Sequence, residues 1–318
     1  MSIQDDARTI RDLWWGFWPS RVVLTANTYR IFDQLETPRT AAEVATLIGT
    51  DLRATELLLN ALTALELVHK RGAVFRNARL AKRFLVSDAP HYMGDILGHA
   101  DALWHNWSGL DEVMRTGMPH RQRRDHGSFI RGMHNIASLK APGLMKLIGL
   151  RGVQTALDLG GGPGTYAMAM AKRGVVATLF DLPETVAIAR EIVAEAGVDG
   201  IGFRAGDFHV DDIGSGYDLI LISQIFHAYG PDECLGLLRK CRAAMNPGGR
   251  VVIQEFFVDR TLTAPLSGAL FAINMLVNTE RGRCYSPPEM RRWLAEAGFS
   301  EISETPFGEN VLLSGVAQ

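Results

Sequence analysis

Residues 157–164, with the sequence LDLGGGPG, constrain the fold of this chain more than any other segment. An apolar run leads into them and a helical pattern follows, so they predict a turn between a buried strand and a helix. Residues without a Cβ atom adopt positive φ easily and let a ligand approach the backbone closely. The segment therefore predicts an α/β sheet that binds a nucleotide-type cofactor at this turn.

Strand and helix patterns alternate regularly from residue 155 onward. Gly174 and Gly197 stand where helices end, and Pro183 and Pro231 stand where helices begin. Two further strand candidates, around Ile302 and at residues 311–315, would close the sheet as an antiparallel pair. The parallel strands are predicted from apolar runs at residues 156–157, 176–180, 202–203, 219–222 and 251–253. This alternation predicts a doubly wound, Rossmann-like α/β domain.

The chain before residue 150 has a mostly helical pattern instead. Thr40 and Glu43 form a capping box that predicts a helix over residues 41–48. A second helical stripe at residues 54–65 leads into a short hairpin around Gly72. Helix, helix and hairpin predict a winged-helix unit, with the domains dividing into residues 1–150 and 151–318.

A winged helix often binds DNA, and the charges of this chain argue against that partner. Between Arg53 and Val68 the second helix has one basic residue and two acidic ones, Glu56 and Glu66, which gives little phosphate contact. The whole chain balances 33 Lys and Arg against 35 Asp and Glu. The apolar run at residues 13–18 is too short for a signal or membrane-spanning helix. We therefore expect a cytoplasmic protein that binds neither nucleic acid nor membrane.

The sequence predicts helices over residues 14–35 and 103–114, and these carry more aromatic and aliphatic surface than a small helical domain can bury. Their largest side chains include Trp14, Trp15, Trp18 and Trp107. Pairing of two chains is the ordinary way to cover such a surface, so the sequence predicts a homodimer.

The composition offers no framework for a disulfide or a metal ion. The three cysteines form no CxxC pair, so we expect buried thiols. Six of the nine histidines lie between His91 and His134, but none of their separations places two ligands on one helix face. No metal cofactor is predicted, and the role of this histidine-rich stretch stays open.

Four features separate the possible cofactors. Thr165 stands where the dehydrogenase fingerprint has its third glycine, which disfavours NAD. Asp181 follows the next strand, where its carboxylate can accept both ribose hydroxyls; the alternative is a helix cap before Pro183. Asp207 and Phe208 follow the third strand, where an adenine ring would lie, and a tight turn at residues 246–249 precedes the fifth strand. This is the layout of a methyltransferase.

The segments DLGGGPG, FDLPE, AGDFH, FHAYGPDECLGLLRKC and NPGGRVVIQE resemble those of small-molecule O-methyltransferases from plants and bacteria, which include caffeate and acetylserotonin O-methyltransferases. The resemblance covers nearly the whole chain, including a winged-helix dimerisation domain. It implies S-adenosylmethionine (SAM) as cofactor and a small-molecule acceptor. The cofactor-binding residues that it implies are Asp158, Gly160, Gly162, Asp181, Leu182, Asp207, Phe208 and Ser223. Ser223 stands where plant members often have Lys.

His227 and Glu255 are the predicted catalytic pair. Methyl transfer depends mostly on positioning the acceptor, but a hydroxyl acceptor must also lose its proton, a task that suits His at neutral pH. His227 follows the fourth strand at its carboxyl end and matches the catalytic base of the family; the alternative is a capping or packing role. Glu255 matches an acid that flanks this base, although a surface Glu at a sheet end is the alternative. The family's Asp after the base is Ala228 here, and its second acid falls on Cys284, with Glu280 a possible substitute.

The acceptor site is less defined by sequence. The resemblance implies that Phe129, Met133, Met275 and Thr279 line it, while ordinary core positions are the alternative for each. O-methylation of a phenol or another hydroxylated secondary metabolite is the leading function. S-, N- or C-methylation, which needs less from a base, is the second, and a winged-helix regulator that senses SAM is the third.

Overall fold

The computed structural model describes residues 2–122 and 125–318. The chain divides into two compact units, Met1–Asp101 and Ala102–Gln318. The helices are α1 Ile3–Trp15, α2 Phe17–Thr28, α3 Ile31–Gln34, α4 Ala41–Ile48, α5 Leu52–Ala64, α6 Arg79–Phe84, α7 Gly94–Trp107, α8 Leu110–Thr116, α9 His126–Ile148, α10 Thr165–Ala171, α11 Pro183–Glu195, α12 Pro231–Ala244, α13 Leu266–Asn278 and α14 Pro287–Glu296. The strands are β1 Arg39–Thr40, β2 Val68–Arg71, β3 Val74–Asn77, β4 Thr155–Leu159, β5 Val176–Asp181, β6 Ile201–Ala205, β7 Tyr217–Ser223, β8 Met245–Phe256, β9 Phe299–Phe307 and β10 Asn310–Ala317.

The first unit contains the predicted winged helix. The Thr40 hydroxyl accepts a hydrogen bond from the Glu43 amide, and the Glu43 carboxylate accepts one from the Thr40 amide, so α4 begins with the predicted capping box. After α5, β2 and β3 form a hairpin, and β1 pairs with β3. Phe32, Leu59 and Phe75 are fully buried in the core beneath it. The winged-helix prediction is confirmed.

Two long helices expected from the sequence are interrupted. The helical stretch from Trp14 to residue 35 is divided among three helices. The first break lies at Gly16, between α1 and α2. The second lies before α3, where Arg30 adopts a left-handed φ of 50° that no continuous helix permits. The stretch at residues 103–114 breaks at Gly109, where a Cβ atom would lie 2.2 Å from the His120 ring. Helical periodicity alone does not reveal this break.

The second unit is built on a seven-stranded sheet in the order β6-β5-β4-β7-β8-β10-β9. Neighbouring strands from β6 to β8 are parallel, and β10 is antiparallel to both of its neighbours. One core cluster contains residues of α12 and α14, and another contains residues of α9, α10 and α11. The doubly wound α/β prediction is confirmed, including the closing antiparallel pair.

Strand β8 begins earlier than the sequence indicates. Tyr217 pairs with Met245 but Leu219 pairs with Arg250, so the residues between them bulge out of the ladder. Gly248 has a φ of 78°, and Asn246 donates to the carboxylate of Asp218 at 2.7 Å. The predicted turn at residues 246–249 therefore lies inside β8 as a bulge, and the expectation that it precedes the strand was wrong.

Helix α9 belongs to the second unit, because it packs against α10 and α11. The helical part of the chain does end near residue 150, but the compact units divide earlier, at Asp101. The division into functional domains at residue 150 stays a prediction.

Within the described residues, no helix is both long enough and apolar enough to cross a membrane. The cytoplasmic location expected from the sequence stays a prediction.

Candidate active site

The glycine turn between β4 and α10 has the predicted conformation. Gly160, Gly162 and Gly164 all have positive φ, at 65°, 54° and 76°. A Cβ atom on Gly160 would lie 2.5 Å from Ile225, whereas one on Gly162 would meet no described atom within 4 Å. The backbone at Gly162 is thus open to a ligand.

Asp181 is joined to this turn. Its Oδ2 atom accepts a hydrogen bond from the Gly162 amide at 2.8 Å, and its Oδ1 atom accepts one from Leu182 at 2.7 Å. The N-cap residue of α11 is Leu182, so Asp181 is not the helix cap of the alternative interpretation. Burial raises the pKa of Asp181, while hydrogen bonds from Gly162, Leu182 and Thr185 and the charge of His126 act to lower it. Each carboxylate oxygen keeps acceptor capacity for a ribose hydroxyl.

Asp158 lies beneath the same turn and is fully buried. Its Oδ2 atom accepts from the amide of Ala167 at 3.0 Å, while its Oδ1 atom has no hydrogen-bond partner among the described residues. Burial raises the pKa of Asp158 to about 7. An open glycine backbone, a ribose-type carboxylate and an unsatisfied buried oxygen fit SAM, which carries two ribose hydroxyls and an ammonium group.

The predicted adenine residues lie beside Gly160. A Cβ atom on Gly160 would be 3.7 Å from the Phe208 ring, and that ring lies 5.6 Å from the ring of Tyr229. Asp207 accepts from the amide of His209 at 2.9 Å. Burial raises the pKa of Tyr229 to about 12, and the charges of Asp207 and Asp181 add to this effect. Tyr229 is therefore a further candidate for binding the cofactor. It was not predicted from the sequence, although an aromatic residue two positions after His227 was a visible signal.

The loop that carries Phe208 is fastened to α12. Lys240 donates to the backbone oxygens of Phe208, at 2.6 Å, and of Asp211, at 2.9 Å. This contact holds the adenine side of the site against the helix that follows the His227 turn.

Ser223 is engaged by neighbouring side chains at the end of β7. Its hydroxyl donates to Gln254 Oε1 at 3.1 Å. Burial raises the pKa of Tyr166 to about 12, and hydrogen bonds from Gln254 and Ser223 act in the opposite direction. Ser223 therefore belongs to a buried polar cluster with Gln254 and Tyr166, at the position where plant members have Lys.

The structure brings His227 and Glu255 together. His227 lies in a short 3₁₀ helix, Phe226–Ala228, after β7, and its Nδ1 atom is 2.7 Å from Oε1 of Glu255. Glu255 is fully buried and also accepts from the amide of Phe256 at 2.8 Å. We assign the Nδ1 proton from this carboxylate partner, so Nε2 is the free basic nitrogen. Glu255 is not a surface residue, and the pair has the geometry of a base and its orienting acid.

Two aromatic rings surround His227. The ring of Phe271 on α13 meets the imidazole edge to face at 4.9 Å, and Phe256 lies 6.3 Å away. The two phenyl rings are 4.1 Å apart. They form an apolar wall beside the base. Neither residue was predicted, because nothing in the linear pattern separates them from core residues.

Cys284 occupies the region of the missing second acid. It is buried, and burial raises its thiol pKa to about 12, with the charge of Glu255 adding to the shift. Glu280 is exposed instead. Among the described residues, Glu255 is thus the carboxylate that contacts His227.

The four acceptor-site candidates lie on or next to two helices. Phe129 and Met133 belong to α9, and Phe129 lies near His126, whose charge acts on Asp181. Met275 is buried on α13. Thr279 donates to the backbone of Met275 at 2.7 Å and accepts from Gly282 at 2.9 Å, so its hydroxyl closes the end of α13. Their role toward an acceptor stays a prediction.

Two histidines of the histidine-rich stretch contact neighbouring helices. His126 lies 3.2 Å from the Thr185 hydroxyl and His134 2.8 Å from that of Thr165, which attaches α9 to the starts of α11 and α10. In the described part of the chain, no group of three or more His, Cys, Asp or Glu side chains is arranged to hold a metal ion.

Comparisons with known proteins agree with this geometry. Residues 97–300 match the O-methyltransferase domain family, and residues 12–87 match the O-methyltransferase dimerisation domain. The chain is 33% identical to 3-hydroxy-5-methyl-1-naphthoate 3-O-methyltransferase of Streptomyces sahachiroi, over 96% of this chain and 94% of that protein. It is 30% identical to acetylserotonin O-methyltransferase of Bos taurus, over 90% of each.

A solved structure shows the same fold with its cofactor. Human N-acetylserotonin methyltransferase in complex with SAM superposes with a TM-score of 0.90 at 25% identity, covering 99% of each chain. Family membership, the fold and the cofactor geometry identify SAM as the methyl donor. The chain therefore belongs to the family of SAM-dependent O-methyltransferases.

Proposed function

We propose that this enzyme methylates a hydroxyl group on an aromatic small molecule, with His227 as general base. The observation that carries the proposal is the 2.7 Å contact between His227 Nδ1 and a fully buried Glu255. It leaves Nε2 as the proton acceptor at the carboxyl end of the central strands, where ligands bind in doubly wound sheets.

When bound, SAM supplies a methyl group on a sulfonium centre. Glu255 holds the imidazole in one tautomer and stabilises the imidazolium that forms when Nε2 takes the acceptor's proton. Phe256 and Phe271 exclude water from the base and offer flat faces to a ring. Asp181 and the glycine turn bind and orient the cofactor.

The acceptor class follows from the aromatic wall and from the relatives. The Streptomyces relative acts on a hydroxynaphthoate, and the mammalian relatives act on acetylserotonin. Both names describe a hydroxylated ring, which supports a phenolic secondary metabolite as the acceptor here.

S-, N- or C-methylation remains the second candidate, favoured by two departures from the family pattern. Ala228 replaces the acid after the base, and the buried Cys284 thiol, whose pKa is raised to about 12, replaces another. Both changes remove negative charge that would support an imidazolium. The regulator hypothesis has no such support, since the whole chain matches enzymes.

The match of residues 12–87 to a dimerisation domain supports a homodimer as the working form. The exposed residues Ile3, Leu13 and Trp14 on α1 provide an apolar surface for a second copy.

A panel of phenols, thiols and amines incubated with methyl-labelled SAM tests the proposed reaction. We expect label on a phenolic oxygen, identified by mass spectrometry of the product. Label that appears only on sulfur, nitrogen or carbon would replace the proposal with the second candidate.

A further inference from the structure

The loop that follows α13, residues 279–286, packs against the turn that carries the base. A Cβ atom on Gly282 would lie 2.3 Å from the backbone oxygen of His227 and 3.1 Å from the Cα atom of Ala228. Non-bonded carbon atoms pack best at about 3.5–4.0 Å. A side chain at position 282 therefore fits only if the backbone around His227 moves.

Gly282 is also fastened to the end of α13. Its amide donates to the Thr279 hydroxyl at 2.9 Å, and that hydroxyl donates to the backbone oxygen of Met275 at 2.7 Å. A Cβ atom on Gly282 would lie 2.4 Å from the same Thr279 oxygen. An added methyl group would thus collide with the base turn and with the end of α13 together.

Tyr285 makes a second contact between this loop and the base turn. Its hydroxyl donates to the backbone oxygen of Tyr229 at 2.5 Å, and its side chain is fully buried. Its backbone forms a bridge with Phe257, which directly follows β8. Because β8 carries Glu255, Tyr285 joins the turn that holds His227 to the strand that holds its carboxylate partner.

One carboxylate orients the imidazole. Among the described residues, Glu255 is the carboxylate that contacts His227, and the loop has the buried thiol of Cys284 where the family has a second acid. The orientation of the ring therefore depends strongly on where the backbone of its turn is held. A displacement of about 1 Å at a reacting group can lower a rate by about 10²-fold.

Resting on the proposed function, we propose that Gly282 and Tyr285 are positioning residues that fix the backbone of residues 227–229 and so hold the His227 imidazole against Glu255. The loop acts on the base through close packing and one hydrogen bond. No group of the loop takes part in the proton transfer.

Two variants test the proposal through their pH profiles. Gly282→Ala displaces the base turn, and Tyr285→Phe removes only the hydroxyl that holds Tyr229. On the phenol that wild type methylates fastest in the labelling panel, we expect kcat at pH 7 to fall at least about tenfold and about threefold, respectively.

Both variants should approach the wild-type kcat near about pH 10, because an ionised phenol needs no base. Burial raises the pKa of Tyr285 and that of Cys284 to about 12, so both groups remain protonated at that pH. A variant that merely weakens the fold would lose activity at every pH. Equal losses at pH 7 and pH 10, or no loss in either variant, would overturn the inference.

The chain offers a matched control for each kind of change. Gly236→Ala adds a methyl group inside α12, where a Cβ atom would meet no described atom within 4 Å. Arg281→Ala alters the same loop beside Gly282, but its ion pair with Glu233 is largely exposed. Both controls should keep kcat within about twofold of wild type, and a loss as large as that of Gly282→Ala would contradict the proposal.

Proton NMR of enzyme saturated with S-adenosylhomocysteine observes the positioning without turnover. The Nδ1 proton that His227 shares with Glu255 should resonate far downfield, and its absence in His227→Ala assigns it. The resonance should shift or broaden in Gly282→Ala and in Tyr285→Phe but not in Gly236→Ala. An unchanged resonance in both loop variants would overturn the inference.

The two measurements separate this inference from the proposed function. A wild type that methylates no phenol would refute the proposed function, while the Nδ1 resonance would still decide whether the loop positions His227. Should Gly282→Ala fail to fold, Tyr285→Phe decides alone, since it deletes a single oxygen atom.

Discussion

His227 and Glu255 meet because of where two neighbouring strands end. Strands β7 and β8 are parallel, and Ser223 pairs with Gln254, so the residues that follow each partner emerge at the same edge of the sheet. The 3₁₀ helix after β7 then turns the imidazole toward the buried carboxylate. At the scale of single residues, the proposed chemistry depends on this one contact.

Replacing the base tests that dependence. His227→Ala should lower kcat on a phenol by roughly 10²- to 10⁴-fold while leaving SAM affinity nearly unchanged, because the imidazole acts on the acceptor. Raising the pH should partly restore the rate, since a phenol ionises near about pH 10 and then needs no base. Steady-state kinetics from neutral to alkaline pH measure both effects.

Glu255→Gln is the matched control for the base. Its loss in kcat should be smaller, since Nε2 remains and only the orientation and charge of the partner change. Wild-type turnover in His227→Ala would exclude the general-base role and favour S-, N- or C-methylation.

Asp158 predicts a pH dependence of stability. Burial raises its pKa to about 7 in the folded chain, against about 3.9 for an unfolded Asp. The folded state therefore binds the proton more tightly, and its free energy of unfolding falls as pH rises between about 4 and 7. In Asp158→Asn, which keeps an acceptor for the Ala167 amide, the free energy of unfolding should not fall in this way.

Denaturant unfolding without cofactor at pH 4.5 and pH 8 measures the effect. The free energy of unfolding of Asp158→Asn, relative to that of wild type, should increase from pH 4.5 to pH 8 by at most about 4 kcal/mol. An equal difference at both pH values would contradict the raised pKa.

At the scale of elements, a glycine with positive φ stands both in the turn between β4 and α10 and after the end of α10. Gly162 and Gly174 both have positive φ and open space where a Cβ atom would project. Gly162→Ala and Gly174→Ala should therefore each lose about 1–2 kcal/mol of stability. Only Gly162→Ala should weaken S-adenosylhomocysteine binding in calorimetry, because its methyl group fills the ligand side of the turn. Similar affinities for both variants would show that the cofactor does not approach Gly162.

Elements with local end signals were predictable from the sequence. The capping box at Thr40, the prolines at helix starts and the glycine turn each act within a few residues, so the linear pattern contains their cause. The pairing of Met245 with Tyr217, which places the turn at residues 246–249 inside β8, joins segments that are distant in the sequence. No local signal reveals that pairing.

The residues of the site likewise differ in whether the sequence indicates them. Asp181, His227 and Glu255 lie at or shortly after the carboxyl ends of strands, and a strand end is visible in sequence. Phe271 lies inside α13, where its side chain looks like a helix position of any kind. Only the fold shows which face of that helix meets His227.

At the scale of the whole molecule, the homodimer is the prediction to be tested. Light scattering at micromolar concentration should give twice the chain mass of 34.9 kDa. Leu13→Asp on α1 should shift the protein toward monomer, because that residue is 73% exposed on a helix with no buried residue. Deleting residues 1–35 should yield aggregated or inactive protein.

Val210→Asp is the control for the loss of an exposed apolar side chain, since Val210 is 79% exposed in the second unit. It should remain dimeric. A monomeric wild type, or two variants with the same mass, would exclude an interface through α1.

The hydrogen bond between Asp181 and Gly162 has an energetic consequence. Folding already fixes the carboxylate against the glycine turn, so much of the entropy of ordering the ribose site is lost before any ligand arrives. Binding then needs little rearrangement of this part of the chain. Cofactor exchange between turnovers should therefore be governed by access to the cleft, with the ribose site itself keeping one shape whether the cofactor has reacted or not.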